Sequence, residues 1–309
     1  MGCSVRILCA LLLLAAGVQA KTYFVTVGGL GGQPDYDARF GLHVNELQKL
    51  VRAAPDTSVE TLVGPAATKT ALKAAIDKVA TAAKAEDVFV LTLIGHGTFD
   101  GQVYKFNLPG ADVSAEELRV WLEKIPARQL VVNASSASGA MVETLKRPNR
   151  VLIAATRSGN EKNATVFARY WIEAFRDAAA DTDKNQVISA LEAFNYADQR
   201  TTQFYESAKR LATEHAILED TGQGEGVRKP SPENGKGLLA GRLGVVRFGA
   251  IQAAMQTPEK QALLAKKETV ERQIDELKYQ KAAMPVDDYK RRLQALLLEL
   301  ARIQEEIEK

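Results

Sequence analysis

Cysteine is nearly absent: the 309 residues hold two, Cys3 and Cys9, both within the first twenty positions. That start has a basic residue, Arg6, an apolar run from Ile7 to Val18 and a small-residue end, Val18-Gln19-Ala20, the pattern of a secretory signal removed after Ala20. The expected mature chain has no thiol, which excludes disulfides, thiolate metal ligands and a cysteine nucleophile even in a secreted or periplasmic setting. Long apolar runs are also missing. The first is shorter than the ~20 residues of a spanning helix and none later matches it, so no membrane span is expected after cleavage. Cys9 follows Arg6-Ile7-Leu8 rather than a small-residue box, which excludes a lipid-anchored start. Nor is there an excess of one charge. Forty basic residues face 38 acidic ones, and losing Arg6 with the signal narrows the difference to one, so neither nucleic acid nor an anionic membrane is implied as a partner.

What is present is the balance of a globular chain, 46% apolar and 25% charged, long enough to bury a real core. From position 21 to about 178, short β-rich runs alternate with helical stretches, which predicts an α/β domain with a mostly parallel sheet covered by helices on both faces. Strands are expected at Tyr23–Val27, Val59–Val63, Asp87–Ile94, Leu130–Val132 and Arg150–Ala155, with helices at about Tyr36–Ala53, Thr68–Ala83 and Ala164–Ala178. A hairpin segment is expected at Val103–Leu108. Val88 to Ile94 is continuously apolar, as in a strand buried on both faces. Ser114 with Glu117 forms a capping box before a helix. Gly28-Gly29-Leu30-Gly31-Gly32 lacks the lysine and hydroxyl residue of a P-loop and the spacing of a dinucleotide fingerprint; it reads as a mobile loop. Beyond 178 the strands are expected to stop. A helical and loop extension covers 179–250, with a helix from about Ser189 to Ala212 and a loop over Glu219–Gly237.

In an open parallel sheet, ligands bind at the carboxyl ends of the strands. His96 stands there between Gly95 and Gly97, and Ser136 stands at the end of the next buried strand. A serine beside a histidine can be deprotonated, with glycine-rich backbone N–H groups receiving an oxyanion. A tight turn and a helix cap are the alternative readings of the two motifs taken singly. Together, His96-Gly97 and Ser135-Ser136-Ala137-Ser138-Gly139-Ala140-Met141 resemble the caspase, legumain and metacaspase superfamily, with strand ends of the form His-Gly and Ala-Cys-x-Ser-Gly or Ser-Cys-x-Ser-Gly. Ala155-Thr156-Arg157-Ser158-Gly159-Asn160-Glu161 resembles the strand end that follows in legumain-like members. The resemblance covers about Tyr23 to Phe175. It implies a caspase-like fold, with His96 as general base, Ser136 at the nucleophile's place and Gly97 as oxyanion donor. The departure is the residue itself: a hydroxyl needs a well-placed base where a thiol is partly ionised.

Three readings follow. The first in order is a non-catalytic relative holding a peptide or protein ligand in its cleft. The second is a serine–histidine peptidase or esterase, favoured by the retained His96, with Asp100, Asp112 and Glu161 as candidates to orient the imidazole. The third is an envelope scaffold acting through its tail. Arg157 has the donor fork for a substrate carboxylate and shares the substrate-binding assignment with Glu161; a surface salt bridge is its plainer reading.

Asp181-Thr182-Asp183-Lys184-Asn185-Gln186-Val187-Ile188-Ser189-Ala190-Leu191-Glu192 places oxygen ligands as an EF-hand loop does: Asp181, Asp183, Asn185, the Val187 carbonyl, Ser189 and Glu192. Gln186 occupies the usual glycine position. No cofactor is required by the rest of the sequence, so calcium is the one ion expected, against the plainer reading of an acidic helix start. His43 and His215 fall on predicted helices and read as structural. The triplets at Asn133 and Asn163 match a glycosylation pattern too common to interpret.

Residues from about 257 to 309 predict an antiparallel helical hairpin. Tyr289, Leu293, Leu296, Leu300, Ile303 and Ile307 form one coiled-coil seam; Leu263, Val270, Ile274 and Leu277 form the other, with Pro285 breaking the helix between them. Two helices bury little by themselves, so the hairpin is expected to pack on the α/β domain or to pair two chains as a homodimer.

Overall fold

The computed structural model describes residues 20–52, 54, 56–247 and 258–307; residues 1–19, with Cys3 and Cys9 and all but the last residue of the expected signal segment, lie outside them. In chain order the first half runs β1 (Thr22–Gly28), α1 (Pro34–Arg52), β2 (Thr57–Leu62), α2 (Lys69–Ala82), β3 (Val88–Ile94), β4 (Gly97–Phe99), β5 (Tyr104–Phe106), β6 (Val113–Ser114) and α3 (Ala115–Leu122). There follow β7 (Arg128–Asn133), α4 (Val142–Leu145), β8 (Arg150–Ala154), α5 (Phe167–Ala174), β9 (Val187–Ser189), α6 (Ala190–Ser207), β10 (Ile217–Glu219), α7 (Leu238–Gly241) and β11 (Gly244–Arg247). The hairpin helices are Pro258–Gln280 and Val286–Ile307.

Among the described residues the main sheet has six strands in the order β10-β8-β7-β3-β1-β2. The pairings β1–β2, β1–β3, β3–β7 and β7–β8 are parallel and β10–β8 is antiparallel. This is the mostly parallel, helix-covered α/β architecture that the sequence predicts. Because side chains alternate across a strand, each strand feeds two cores. Phe24, Val88, Val90, Leu130, Val132, Val151 and Ile153 meet α1, α5 and α6 through Phe40, Val44, Leu47, Trp171 and Phe194. Tyr23, Val25, Phe89, Leu91, Val131 and Leu152 meet α2 and α3 through Leu72, Ile76, Val79, Leu118 and Leu122. All seven β3 residues are buried, which is why that segment is apolar without alternation. At about 1.5–3 kcal/mol for each large apolar side chain taken from water, these two layers are the main source of stability among the described residues, which hold no cysteine.

The strands do not stop at 178, contrary to the sequence reading. β10 extends the main sheet, and β9 pairs with β11 in a two-stranded sheet of its own. Each of β9 and β10 is three residues long, too short to show a period. The helix expected to reach Ala212 ends at Ser207, just before Lys209, whose φ of 51° breaks it. The helix expected over Ala164–Ala178 is Phe167–Ala174 with a separate 3₁₀ turn at Ala178–Ala180. The segment Val103–Leu108 supplies the middle strand of a small antiparallel sheet, β4-β5-β6. The glycine loop is held rather than free: the Gly29 N–H donates to the Ile94 carbonyl, that of Leu30 to the Asn107 carbonyl and that of Gly31 to Asp37 Oδ1. A Cβ on Gly31 would stand 2.4 Å from the Asp37 nitrogen, so the glycine there serves close approach.

The hairpin forms as expected, with Val270, Ile274 and Ile303 buried between its helices and Leu263, Leu293, Leu296 and Leu300 around them. Arg242 of the α/β part pairs with Glu276 of the first hairpin helix. No helix among the described residues is long and apolar enough to cross a membrane.

The capping box at α3 is complete: Ser114 Oγ accepts from the Glu117 N–H at 3.2 Å, and Glu117 Oε2 accepts from the Ser114 N–H at 2.9 Å. Ser114→Ala is expected to lower stability by about 1 kcal/mol, read as a reduced urea midpoint at unchanged slope. An unaltered midpoint would show that the box contributes nothing to α3.

Candidate functional site

β3 and β7 lie side by side, Leu93 opposite Asn133, so the loops after them leave the sheet together. The Ala134 N–H continues the ladder by donating to the Leu93 carbonyl at 2.8 Å. Beyond it the chain reaches Ser136, 2% exposed. Its hydroxyl is bonded both ways to one residue of the facing loop: Oγ accepts from the Gly97 N–H at 3.1 Å and donates to the Gly97 carbonyl at 3.0 Å. Ser136 thus completes Gly97 as a backbone group would. A Cβ on Gly97 would stand 2.5 Å from the Ser136 carbonyl oxygen, so only glycine fits this approach. The N–H that the family resemblance gives to an oxyanion is already donated to Ser136.

His96 is placed by different contacts. Its ring stands edge-on to Tyr36, centroids 4.7 Å apart, and to Phe40 at 5.2 Å. The Gly31 backbone lies close enough to favour its protonated form. Burial, and next the charge of Arg39, hold its pKa below the usual histidine value, so the ring is neutral at pH 7. Among the described residues no hydrogen bond joins the His96 ring to Ser136. The carboxylates proposed to orient it are occupied elsewhere: Asp100 accepts from the N–H groups of Gln102 and Val103 in its own turn, and Asp112 from that of Leu108. The carboxylate that does act on His96 is Asp37.

Under Ser136 lies a buried polar relay that sequence reasoning missed. Asn133 Nδ2 donates to Tyr104 Oη at 2.8 Å, the Tyr104 and Ser135 hydroxyls lie 2.7 Å apart, and Ser135 Oγ donates to the Ser136 carbonyl at 3.1 Å. Burial pushes the Tyr104 hydroxyl up to about 12, so it stays protonated and able to donate. The polar residues at 133 and 135, amid apolar neighbours, are the sequence signal for this network.

Glu161 and Arg157 pair with each other, Arg157 Nε to Glu161 Oε1 at 3.2 Å. Glu161 also accepts from the backbone and ring of His215, with Nδ1 2.5 Å from Oε1, and its carbonyl accepts from the Ala137 N–H at 2.8 Å. Glu161 is therefore a brace linking the 155–165 loop to the turn after Ser136, where Ala137 has a φ of 56°. His215 lies in the segment between α6 and β10, not on a helix as expected, because α6 ends eight residues before it. His43 is on α1, as expected. Asn133 is fully buried and the Asn163 loop is exposed.

The 181–192 loop brings the oxygens of Asp181, Asp183 and Glu192 within 4.8 Å of one another. Asp181 accepts from the N–H groups of Asn185 and Gln186 at 3.0 and 2.8 Å, and Gln186 takes the left-handed φ of 66° that a glycine would adopt there. Asn185 Oδ1 accepts from the Val187 N–H, and Ser189 and Glu192 form the capping box of α6. Asp183 is exposed as a residue, but lost hydration of its carboxyl among the other acids, followed by the charge of Glu192, raises that carboxyl to about 7.

No family profile and no curated protein matches the chain. Among solved structures it is similar to the Geobacter sulfurreducens protein GSU0716, with 16% identity over 70% of this chain and 97% of that one and a TM-score of 0.45. It is similar to caspase-1 of Spodoptera frugiperda at 10% identity, covering 65% of this chain and 87% of that one, TM-score 0.44. The Drosophila initiator caspase Dronc shares 12% identity over 67% of this chain and 82% of its own, TM-score 0.37.

Proposed function

We propose that this chain is an exported, non-catalytic protein that binds a peptide or protein ligand at the carboxyl ends of its sheet strands. One observation carries the reading. The Ser136 hydroxyl, which a hydrolase would present to a base, donates its proton to the Gly97 carbonyl, while the His96 ring is packed on Tyr36 and Phe40. A hydroxyl so bonded is a structural clasp, not an activated nucleophile.

The two roles differ in what Ser136→Ala does. A clasp leaves the Gly97 N–H and carbonyl unpaired on mutation and costs about 1–3 kcal/mol. A fluorophosphonate probe should leave the wild type unlabelled, and Ser136→Ala should unfold at lower urea. Labelling of wild type that Ser136→Ala abolishes at unchanged stability would establish a serine hydrolase instead. Panning the immobilised protein against a random-peptide library should enrich a defined motif; absence of enrichment would count against the ligand.

The 181–192 loop is proposed to hold calcium through Asp181, Asp183, Asn185, the Val187 carbonyl, Ser189 and Glu192. Three converging carboxylates suit a hard cation that takes oxygen ligands. Without metal, raising the pH through about 7 ionises Asp183 against Asp181 and Glu192. Its raised pKa favours the folded state below the ordinary carboxylate range, and that contribution is lost as pH rises through 7. Calcium reverses this by binding the ionised form. Millimolar calcium is expected to raise the melting temperature more at pH 8 than at pH 5.5, and not in Asp181→Ala. Equal melting temperatures with calcium and with chelator at pH 8 would exclude the site.

The hairpin is proposed to pair two chains. Leu297 and Leu298 of its second helix are 49% and 54% exposed, apolar area that a partner helix would cover. Light scattering should give twice the monomer mass, reverting to one in Leu298→Glu. A monomer at all concentrations would refute pairing.

A further inference from the structure

The start of α5 has no cap from its own segment. Val166, at the N-cap position, makes no side-chain bond to the helix. The N–H groups of Val166 and Phe167 donate instead to Glu214, at 2.8 Å to Oε1 and 3.2 Å to Oε2. Tyr205, near the end of α6, donates its hydroxyl to the same Oε1 at 2.9 Å and lies 3.1 Å from Thr213 Oγ1. Glu214 is 3% exposed, and among the described residues no cation pairs with it. A carboxylate at that depth without a counter-ion is held by neutral donors alone.

The charge acting on it from the 155–165 loop is another carboxylate, Glu161, itself paired with Arg157 and His215. Beyond these, Arg210 acts on Tyr205, and Asp198 of α6 is faced by Arg228, His215 and Lys229. Burial outweighs the three donors, and the charge of Glu161 adds to it, so the Glu214 carboxyl is pushed up to about 7.

The anion accepts all three hydrogen bonds. In the acid, one oxygen must donate, and Tyr205 Oη stands ready to accept while the tyrosine turns its own proton to Thr213 Oγ1. A proton on Oε1 takes that oxygen from the Val166 N–H and leaves the Phe167 bond on Oε2.

We propose that Glu214 is a proton-operated latch: its anion fastens the start of α5, and with it the end of the 155–165 loop, to α6, while its acid form releases Val166. The same loop bonds to Ala137 through the Glu161 carbonyl and to Ala134 through the Thr165 hydroxyl. Proton uptake therefore slackens the support of the chain on either side of Ser136, whether or not a ligand binds there.

The raised carboxyl adds stability in its acid form below the ordinary carboxylate range, and this is lost as pH rises through about 7. Asp183 acts in the same direction over the same window, so global unfolding does not separate the two and the readout must be local. In a ¹⁵N NMR titration of the mature protein from pH 5 to 9, the Val166 and Phe167 amides should shift with a midpoint near 7, Val166 the more. Glu214→Gln, which keeps an acceptor oxygen but takes up no proton, should abolish the movement, and His215→Gln should leave it in place. Tyr205→Phe, which removes a donor to the anion, should raise the midpoint by about one unit, the scale of a hydrogen bond to a charged group. Amides that stay still across the range, or that move as before in Glu214→Gln, would overturn the latch. If Glu214→Gln does not fold, Tyr205→Phe decides, and an unchanged midpoint there overturns it equally.

Discussion

The strand-end face depends on the two hydrogen bonds between the Ser136 hydroxyl and the Gly97 backbone. A parallel ladder joins β3 to β7 only as far as its last pair, and beyond it each chain must turn away with its peptide groups unsatisfied unless something replaces the ladder. Ser136 replaces it with a side chain, and Gly97 permits it by having none. With that pair closed, the small sheet begun at Gly97 is fixed against the main one, and Tyr104 is set under the β7 tip to meet Asn133 and Ser135. A thiol, a weak donor and acceptor, would make a poorer clasp at the same place. The serine is thus suited to holding the loops together.

The rest of the face is assembled by braces from later in the chain. Thr165 donates to the Ala134 carbonyl at 2.6 Å, and Glu161 accepts from His215 while receiving the Ala137 N–H on its carbonyl. Glu214 accepts from the N–H groups of Val166 and Phe167 at 2.8 and 3.2 Å and from the Tyr205 hydroxyl at 2.9 Å. Burial pushes Glu214 up to about 7. The segment after α6 therefore serves as the buttress of the 155–165 loop, a role invisible to a reading of the core alone.

Legibility followed the range of the interactions. Val88 to Ile94 announced a doubly buried strand, Ser114 with Glu117 announced the cap of α3, and the spaced leucines near the end announced the hairpin, because each signal is local. β10 left no trace: Ile217, Leu218 and Glu219 become a strand only by lying along Leu152 to Ala154, more than sixty residues earlier. The site shows the same division. His96 and Ser136 were placed at neighbouring strand tips by sequence, and the structure puts them there. Where their polar atoms point was set by Tyr36, Phe40 and Gly97, partners that neither motif encodes. The glycine loop looked mobile because its anchors, Ile94 and Asn107, belong to other segments.

The extension also explains why one loop can matter to a face it does not touch. Glu192 takes part in the 181–192 carboxylate cluster and, with its other oxygen, in the cap of α6. α6 packs on α5 and ends near Tyr205, whose hydroxyl meets the Glu214 that holds the α5 start. Charge at Asp183 and Glu192 therefore bears first on the α6 cap, and a displaced α6 draws on the Tyr205–Glu214 contact at its other end. Because α6 is a packed, hydrogen-bonded rod of 18 residues, its two ends cannot shift independently. The acidic loop and the strand-end brace are thus joined through one packed helix.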